Sequence, residues 1–546
     1  MLLKLVDIFG YLSVILRAGT LVFQSLLLGG SLFLLWIASP GGETTEAKLA
    51  AVRRSASRLL RISAIALAVV DALYLYVNSA ALTASAEIGW RDVMGANFFI
   101  AGSIILGASI LVAILATSPK RSAQIATGIL VAVVLASSIA TNHAASRLEG
   151  RLPLIVLSTL HELATGFWIG GLPFLLLGLY RAGDSSTQWY MTKRFSRLAL
   201  ISVVVLIASG VAMSIAYVGS LRALYGTSYG VMVMAKATML AVLLLIGGIN
   251  FLLLRRAAPA EALPRLRRLV EAEVGIGITV VLTAASLTSQ PPAVDVGNDT
   301  VGLSRIVARM TPHWPRLQSP EVAQLSTSFP AESISVPAGP PLPAAYTVDG
   351  IALSAGDLAD IQWSEYNHHW MGVLVLLMGV LALLARSGHA PWAEYWPLLL
   401  IGIAVFIFLR ADPECWPLGP QGFWATWAKP EVFQHRLAGL LCVGFAIFEL
   451  RVRQRGQQAG PASLVFPLLC AAGGALLLTH SHSLINVKEE LLAELSHVPM
   501  GIFAVLAGWS RWLEIRLPAA DRKYAGWIWP VCFVLIGAGL LNYREM

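Results

Sequence analysis

Residues 479–514 read THSHSLINVKEELLAELSHVPMGIFAVLAGWSRWLE, and they join two long apolar runs through a short polar segment. His480 and His482 close the first run, and His497 stands near the start of the second. Positions three apart lie side by side on a helix, so Met500 shares a helical face with His497. The stretch therefore predicts two apolar helices whose connection carries clustered imidazole side chains.

The composition is typical of a membrane protein. Of the 546 residues, 57% are hydrophobic and 13% are charged, and the mean hydropathy is +0.71. Apolar runs recur at the length of about 18 residues or more that is needed to cross a bilayer core of about 30 Å. Because lipid offers no hydrogen bonds to the backbone, such spans must be helices. We therefore predict an all-α polytopic helix bundle within the lipid bilayer.

A second stretch has the same organisation. Residues 140–178 read ATNHAASRLEGRLPLIVLSTLHELATGFWIGGLPFLLLG, where His143 closes one apolar run and His161 lies a few residues into the next. The two histidines are 18 positions apart here, and His480 and His497 are 17 positions apart. This similarity suggests two related modules, each of which gathers imidazoles at one face of the membrane.

The apolar runs predict about fourteen transmembrane helices. The first run continues past residue 30 without a small-residue cleavage site, so we expect a retained helix rather than a signal peptide. The predicted spans lie near residues 9–37, 58–82, 96–117, 123–142, 153–180, 196–219, 232–254, 269–288, 367–386, 395–411, 432–450, 462–481, 491–514 and 524–543.

Lysines and arginines indicate the orientation of these helices. They concentrate in alternate loops, with about 24 on one side of the membrane and about 11 in the short segments of the other. The richer side is expected to be cytoplasmic, so both termini should face outward. Because this topology accounts for the net charge of +8, we expect no nucleic-acid partner.

The same topology divides the chain into three parts. Residues 1–289 form a predicted eight-helix membrane module, and residues 367–546 form a six-helix module with a His-rich outer face. Residues 290–366 are rich in Pro, Ser and Ala and lack long apolar runs, so they are expected to form an outer connecting loop.

Nine of the ten histidines fall in the outer half of this topology, and His389 alone falls on the cytoplasmic side. Imidazole is a good ligand for copper, zinc and haem iron, and thioether sulfur favours Cu(I). The alternative for any single histidine is an interfacial hydrogen-bonding role. The candidate metal ligands are His143, His161, His368, His369, His435, His480, His482, His497 and Met500.

Four ionisable residues inside the predicted spans have two possible roles. Asp71 and Arg17 either line a pathway or pair with each other to hold two helices together. Glu162 and Glu494 either orient the neighbouring imidazoles of His161 and His497 or are helix-end carboxylates.

Several common motifs are missing from the sequence. It contains no Walker motif, dinucleotide fingerprint or HExxH, which disfavours ATP-driven pumping and zinc proteolysis. The four cysteines form no CxxC pair, so neither a disulfide framework nor a zinc ribbon is indicated. We therefore expect a transport or binding protein rather than an enzyme.

The histidine motifs resemble those of a known family. NHAAS (142–146) followed by LHELATGFWIGGLPFLL (160–176) is similar to the paired signature of the CopD family of bacterial inner-membrane copper-resistance proteins, with Asn142 where a glycine is usual. The resemblance covers residues 1–290, including ASLTSQPPA (285–293). The second half, with FQHRLAG (433–439), looks like the additional membrane module of longer CopD-like proteins.

This resemblance implies copper handling, as Cu(I) or Cu(II), in a multi-pass protein of the bacterial inner membrane. It also implies a periplasmic CopC-like copper carrier as a possible partner. Two other hypotheses remain open. The same histidines could ligate b-type haem in a membrane electron-transfer protein, particularly His435 with His497. The chain could also be a non-catalytic membrane scaffold, which would leave the histidine clustering unexplained.

Overall fold

A computed structural model gives the fold of the chain. It describes residues 2–42, 44–85, 88–296, 300–325, 347–348, 351–352, 355–428, 430–479 and 487–545. Within these ranges, twelve helical stretches are long and apolar enough to cross a membrane. The other two predicted spans, near 432–450 and 491–514, are also helical. The prediction of an all-α polytopic bundle is confirmed.

The chain divides into two compact units. The first comprises Met1–Gly302 with Ala475–Leu491 and Arg516–Pro518, and the second comprises Leu303–Gly474 with Leu492–Ile515 and Ala519–Met546. The helices before residue 300 are α1 Leu2–Leu32, α2 Glu46–Ser85, α3 Trp90–Gly95, α4 Asn97–Leu115, α5 Arg121–Ile139, α6 His143–Ser146, α7 Arg151–Trp168, α8 Leu172–Arg181, α9 Ser185–Val218, α10 Leu221–Gly226, α11 Ser228–Arg256 and α12 Pro259–Ser289.

The remaining elements follow residue 300. They are α13 Leu303–Met310, β1 Thr347–Val348, β2 Ile351–Ala352, α14 Ala355–Ser387, α15 Leu399–Arg410, α16 Pro430–Arg455, α17 Val465–Thr479, α18 Val487–Arg516 and α19 Arg522–Leu541. The two short strands pair antiparallel, with Val348 opposite Ile351.

Side-chain caps set the starts of four helices in the first unit, and at α10 the Ser220 hydroxyl accepts a hydrogen bond from the Ala223 amide. Asn142 accepts a hydrogen bond from the Ala145 amide at α6, and Asp184 accepts one from the Thr187 amide at α9. Thr227 does the same for Gly230 at α11. Because the first amides of a helix have no partner within it, such caps fix where each helix begins.

The predicted span 153–180 is broken into α7 and α8 at Gly170 and Gly171. Pro173 lies in the first turn of α8, where its missing amide hydrogen costs no helical bond. The break meets α1 backbone to backbone, because a Cβ added to Gly170 would lie 1.9 Å from the Ser25 carbonyl oxygen. A Cβ on Gly29 would likewise lie 2.2 Å from the carbonyl carbon of Gly170.

We expect Gly170→Ala to destabilise the first unit by about 1–3 kcal/mol or more, the usual cost of overpacking, because backbone cannot move aside as a side chain can. Thermal stability in detergent, followed by size-exclusion chromatography, measures this loss. Gly183→Ala is the matched control, since a Cβ at that loop glycine meets nothing within 4 Å. Equal stability of the two variants would contradict the close approach of α1.

The second unit has an aromatic core. Trp396, Phe466, Trp529 and Phe533 are buried together, with Cys532 beside them. The Trp396 ring centroid lies 5.4 Å from that of Phe466 and 5.7 Å from that of Trp529, distances typical of favourable aromatic pairs.

Candidate functional site

His161 lies on α7 and faces α9. Its Nδ1 is 3.2 Å from the Ser209 hydroxyl oxygen, and that hydroxyl donates a hydrogen bond of 2.7 Å to the Val205 carbonyl. The Ser209 oxygen can therefore accept the Nδ1 hydrogen, which leaves Nε2 as the ring nitrogen suited to a metal. A ligand histidine whose second nitrogen is held by a hydrogen bond is the usual arrangement in metal sites.

Glu162, the next residue, faces a different set of polar groups. The Gln24 amide of α1 donates a 2.8 Å hydrogen bond to the Glu162 carboxylate. Arg17 of α1 and Lys236 of α11 both interact electrostatically with Glu162, and Lys236 also interacts with His161. Three helices thus bring one carboxylate, two cations and one imidazole together inside the first unit.

His143 opens the short helix α6. Its Nε2 donates a 3.0 Å hydrogen bond to the Thr288 carbonyl near the end of α12. Burial lowers the pKa of His143, and Arg17 and Arg147 lower it further against the opposing effect of the hydrogen bond. The imidazole is therefore neutral at pH 7, and its Nδ1 lone pair can serve as a ligand.

A hydrogen bond links the segment of His143 to the helix of His161. The Asn142 side chain caps α6 and also donates a 2.7 Å hydrogen bond to the Ser158 hydroxyl. Ser158 precedes His161 by one turn of α7, so the two predicted histidines belong to one connected polar region.

Asp71 and Arg17 were predicted either to line a pathway or to pair. Asp71 is 3% exposed and interacts electrostatically with Arg17, yet its Oδ2 has no hydrogen-bond partner among the described residues. Arg17 also interacts with Glu162 and His143, so it serves several groups rather than Asp71 alone.

In the second unit, Tyr543 contacts two of the predicted histidines. The His368 ring of α14 stacks on the Tyr543 ring, with centroids 3.8 Å apart, and the His497 ring of α18 lies 6.1 Å from it. His368 Nδ1 donates a 2.9 Å hydrogen bond to the Ser364 carbonyl, which leaves Nε2 for another contact. The Tyr543 hydroxyl donates to Glu545.

His369 is held differently from its neighbour. It is completely buried, its Nδ1 accepts a 2.7 Å hydrogen bond from the Arg316 amide, and its Nε2 donates one of 2.9 Å to the Tyr543 carbonyl. Both ring nitrogens are therefore occupied by backbone groups, and binding a metal would break one of these hydrogen bonds.

The remaining predicted ligands in the described residues, His435 and Met500, have different surroundings. His435 is exposed and its Nδ1 lies 2.7 Å from an Asp412 carboxylate oxygen, whereas Met500 is buried with its Cγ against Gly539 of α19. His480 and His482 lie outside the described residues. In the part of the chain that is described, no group of three or more His, Cys, Asp or Glu side chains has an arrangement that could hold a metal ion.

Lys236, Ser209 and Tyr543 were not predicted as site residues. A signal for Lys236 is present in the sequence, because it is the one charged residue in the apolar run 228–254. Ser209 and Tyr543 give no such signal, since their importance depends on which helices pack together.

The fold and its buried polar groups define the class, a polytopic α-helical membrane protein with ionisable side chains inside the bundle. Residues 189–287, which span most of α9 through α12, match the CopD family, described as copper resistance protein D. This match confirms the resemblance to the CopD family that the sequence predicts.

Comparison with individual proteins gives a second finding. A stretch of 154 residues is 34% identical to copper transport protein CutJ of Bacillus subtilis (strain 168), covering 28% of this chain and 28% of that protein. The chain thus matches less than a third of the length of this relative. No solved structure matches the chain.

Proposed function

We propose that this chain transports or delivers copper at the bacterial inner membrane, and that copper is received at the periplasmic face. The observation that carries the proposal is the contact of His161 with Ser209 and its electrostatic interaction with Lys236. Ser209 and Lys236 both belong to the region that matches CopD. An imidazole that contacts the region matching a copper-resistance family is a chemically suitable copper ligand.

Two histidines of the first unit are the proposed entry ligands. His143 offers Nδ1 and His161 offers Nε2, because a hydrogen bond occupies the other nitrogen of each ring. Arg17 interacts electrostatically with His143 and with the carboxylates Asp71 and Glu162. In this proposal the carboxylates offset the positive charge of the ion as it enters the bundle.

The six-helix module is proposed to offer further ligands at the outer face. This set comprises His368, His480, His482, His497 and Met500. His369 and His435 have structural roles in this proposal, because backbone groups hold His369 and a carboxylate holds His435. The soft Met500 sulfur favours Cu(I) over Cu(II) at this end of the pathway.

The proposal includes an orientation and a partner. With both termini outside the cytoplasm, His143 and the start of α14 face the periplasm, where a CopC-like carrier would deliver copper. Residues 1–289, 290–366 and 367–546 are the proposed working modules, with the central segment as the outer connection.

Metal analysis and an optical spectrum on one detergent-purified sample test this function. We expect the wild-type protein to bind Cu(I) in a competition with a chromogenic chelator and to show no Soret band. A Soret band that shifts on reduction, with iron and no copper, would instead support the bis-His haem hypothesis. Absence of both metals after copper loading would contradict the copper proposal and leave a scaffold.

A further inference from the structure

Glu273 is a buried carboxyl residue that the proposed copper route does not use. It lies in α12, within the region that matches CopD, and only 3% of the residue is exposed. An ionised carboxylate inside a membrane protein is costly unless a partner offsets its charge. The burial of Glu273 without a charged partner therefore needs a separate explanation.

The surroundings of Glu273 come mainly from α11. A Cβ added to Gly247 would lie 3.0 Å from the Glu273 carboxylate oxygen, so the carboxylate occupies the space beside this glycine. The Trp168 ring of α7 lies 4.0 Å from the same Cβ position and borders this space. On the next turn of α12, a Cβ on Gly277 would lie 2.8 Å from the Ile169 side chain.

Asn250 is the polar side chain that faces this carboxyl group. It is 7% exposed, and neither its Oδ1 nor its Nδ2 has a partner within hydrogen-bonding geometry in the described part of the chain. A primary amide can accept a hydrogen bond through oxygen and donate one through nitrogen. Asn250 is thus suited to both a protonated and an ionised carboxyl group.

Among the described residues, no charged side chain forms an ion pair with Glu273. In the described part of the chain, the Asn250 amide is the polar side chain beside the carboxylate. The titratable side chains described on the packed helices α1, α8, α9 and α11 do not interact with Glu273; they are Arg17, Tyr180, Arg181, Tyr190, Lys193, Arg194, Arg197, Tyr217, Tyr229, Lys236, Arg255 and Arg256.

We propose that Glu273 and Asn250 form a proton-binding site that couples copper passage to the movement of protons. A proton binds one carboxylate oxygen to form an O–H bond, and this bond breaks when the proton leaves. The neutral acid suits the apolar surroundings of Gly247 and Trp168, and the Asn250 amide nitrogen stabilises the ionised form. The coupling rests on the proposed copper function, whereas the proton site itself does not.

Infrared difference spectroscopy on the purified full-length protein tests the site without copper. Wild-type protein titrated between acid and alkaline pH should show loss of a carboxylic-acid C=O band, and that band should be missing in Glu273→Gln. Glutamine resembles the protonated acid, so this variant should fold. Glu261→Gln, at the exposed start of α12, is the matched control and should keep the band.

Asn250→Leu provides the second variant. It should keep the band but shift its pH midpoint upward, because leucine offers no amide that can donate a hydrogen bond to the ionised carboxylate. A Glu273→Gln spectrum identical to that of wild type would overturn the proposal. So would a wild-type band that responds to sodium concentration and not to pH.

Copper uptake into proteoliposomes tests the coupling. A pH gradient should change the uptake rate of wild-type protein, and Glu273→Gln should remove this dependence while retaining copper binding. Uptake that depends equally on the gradient in both proteins would overturn the coupling. If wild-type protein takes up no copper, the proposed function fails, and the infrared result still decides whether Glu273 binds protons.

Discussion

Glu514→Ala is expected to lower the stability of the second unit by about 3–5 kcal/mol, the range seen when one partner of a buried ion pair is removed. The Glu514 carboxylate of α18 accepts hydrogen bonds from Arg386 of α14, from Arg511 at 2.5 Å and from the Trp529 indole of α19 at 2.8 Å. Alanine would leave two guanidinium groups and one indole without this acceptor.

The loss of stability is expected to be large because the cluster formed by Glu514, Arg386, Arg511 and Trp529 is mostly buried. The Glu514 side chain is 12% exposed, and those of Arg386 and Arg511 are about one-fifth exposed. The Arg511 guanidinium lies 5.5 Å from the Trp529 ring centroid, so the two arginines would remain against the aromatic core without the carboxylate that accepts hydrogen bonds from both. Water can reach this cluster only in part, and it cannot fully replace the carboxylate.

Thermal unfolding in detergent, followed by tryptophan fluorescence, measures the effect. Glu514→Gln should have a smaller effect than alanine, because the amide oxygen can still accept one hydrogen bond. Glu394→Ala removes an exposed carboxylate of the same unit and should leave the transition unchanged. Equal transitions for Glu514→Ala and Glu394→Ala would show that the cluster does not stabilise this unit.

The sequence allowed prediction of the helices because hydropathy and helix length follow directly from bilayer thickness. The break at Gly170 was not predicted, because an apolar run gives the same signal whether it is straight or broken. At this break the backbone lies against Gly29 of α1, a contact between two segments that are distant in the chain. Hydropathy indicates whether a segment lies in lipid or in water, but it does not indicate which helices pack against each other.

The same distinction applies to the histidines. Clustering near helix ends predicted His161 and His143 as polar groups at one end of a bundle, and the structure connects them through Asn142 and Ser158. It could not predict that His369 would have both ring nitrogens bound to backbone groups of Arg316 and Tyr543. Two adjacent histidines, His368 and His369, therefore have different chemistry although their sequence context is almost identical.

The charged residues inside the bundle show what the sequence and the structure each contribute. Lys236 is visible in the sequence as one cation in an apolar run, but its significance comes from its interaction with Glu162 and His161. Asp71 and Arg17 were predicted as a possible pair, whereas Arg17 interacts with several groups of three different helices. Pairing partners follow from packing, so sequence predicts the presence of buried charge more reliably than its network.

The second large effect is expected for His161→Ala, which should abolish copper uptake by cells that depend on this protein. The substitution removes the imidazole that bonds Ser209 and leaves a cavity next to Lys236. No other described histidine contacts Ser209, so no second imidazole can replace that of His161 in the described part of the bundle. If His161 is a copper ligand, the uptake rate should fall to that of cells lacking the protein.

Two further variants separate loss of a ligand from loss of structure. Ser209→Ala should keep the imidazole but remove the hydroxyl that contacts its Nδ1, so we expect copper binding weaker by about 10–100-fold, the range that outer-shell changes cause. His389→Ala alters an exposed histidine that follows the end of α14 and should leave uptake unchanged. Cellular copper is measured by mass spectrometry and normalised to the amount of protein in the membrane. Uptake by His161→Ala equal to that of His389→Ala would exclude His161 as a ligand, because a required ligand cannot be removed without loss of transport.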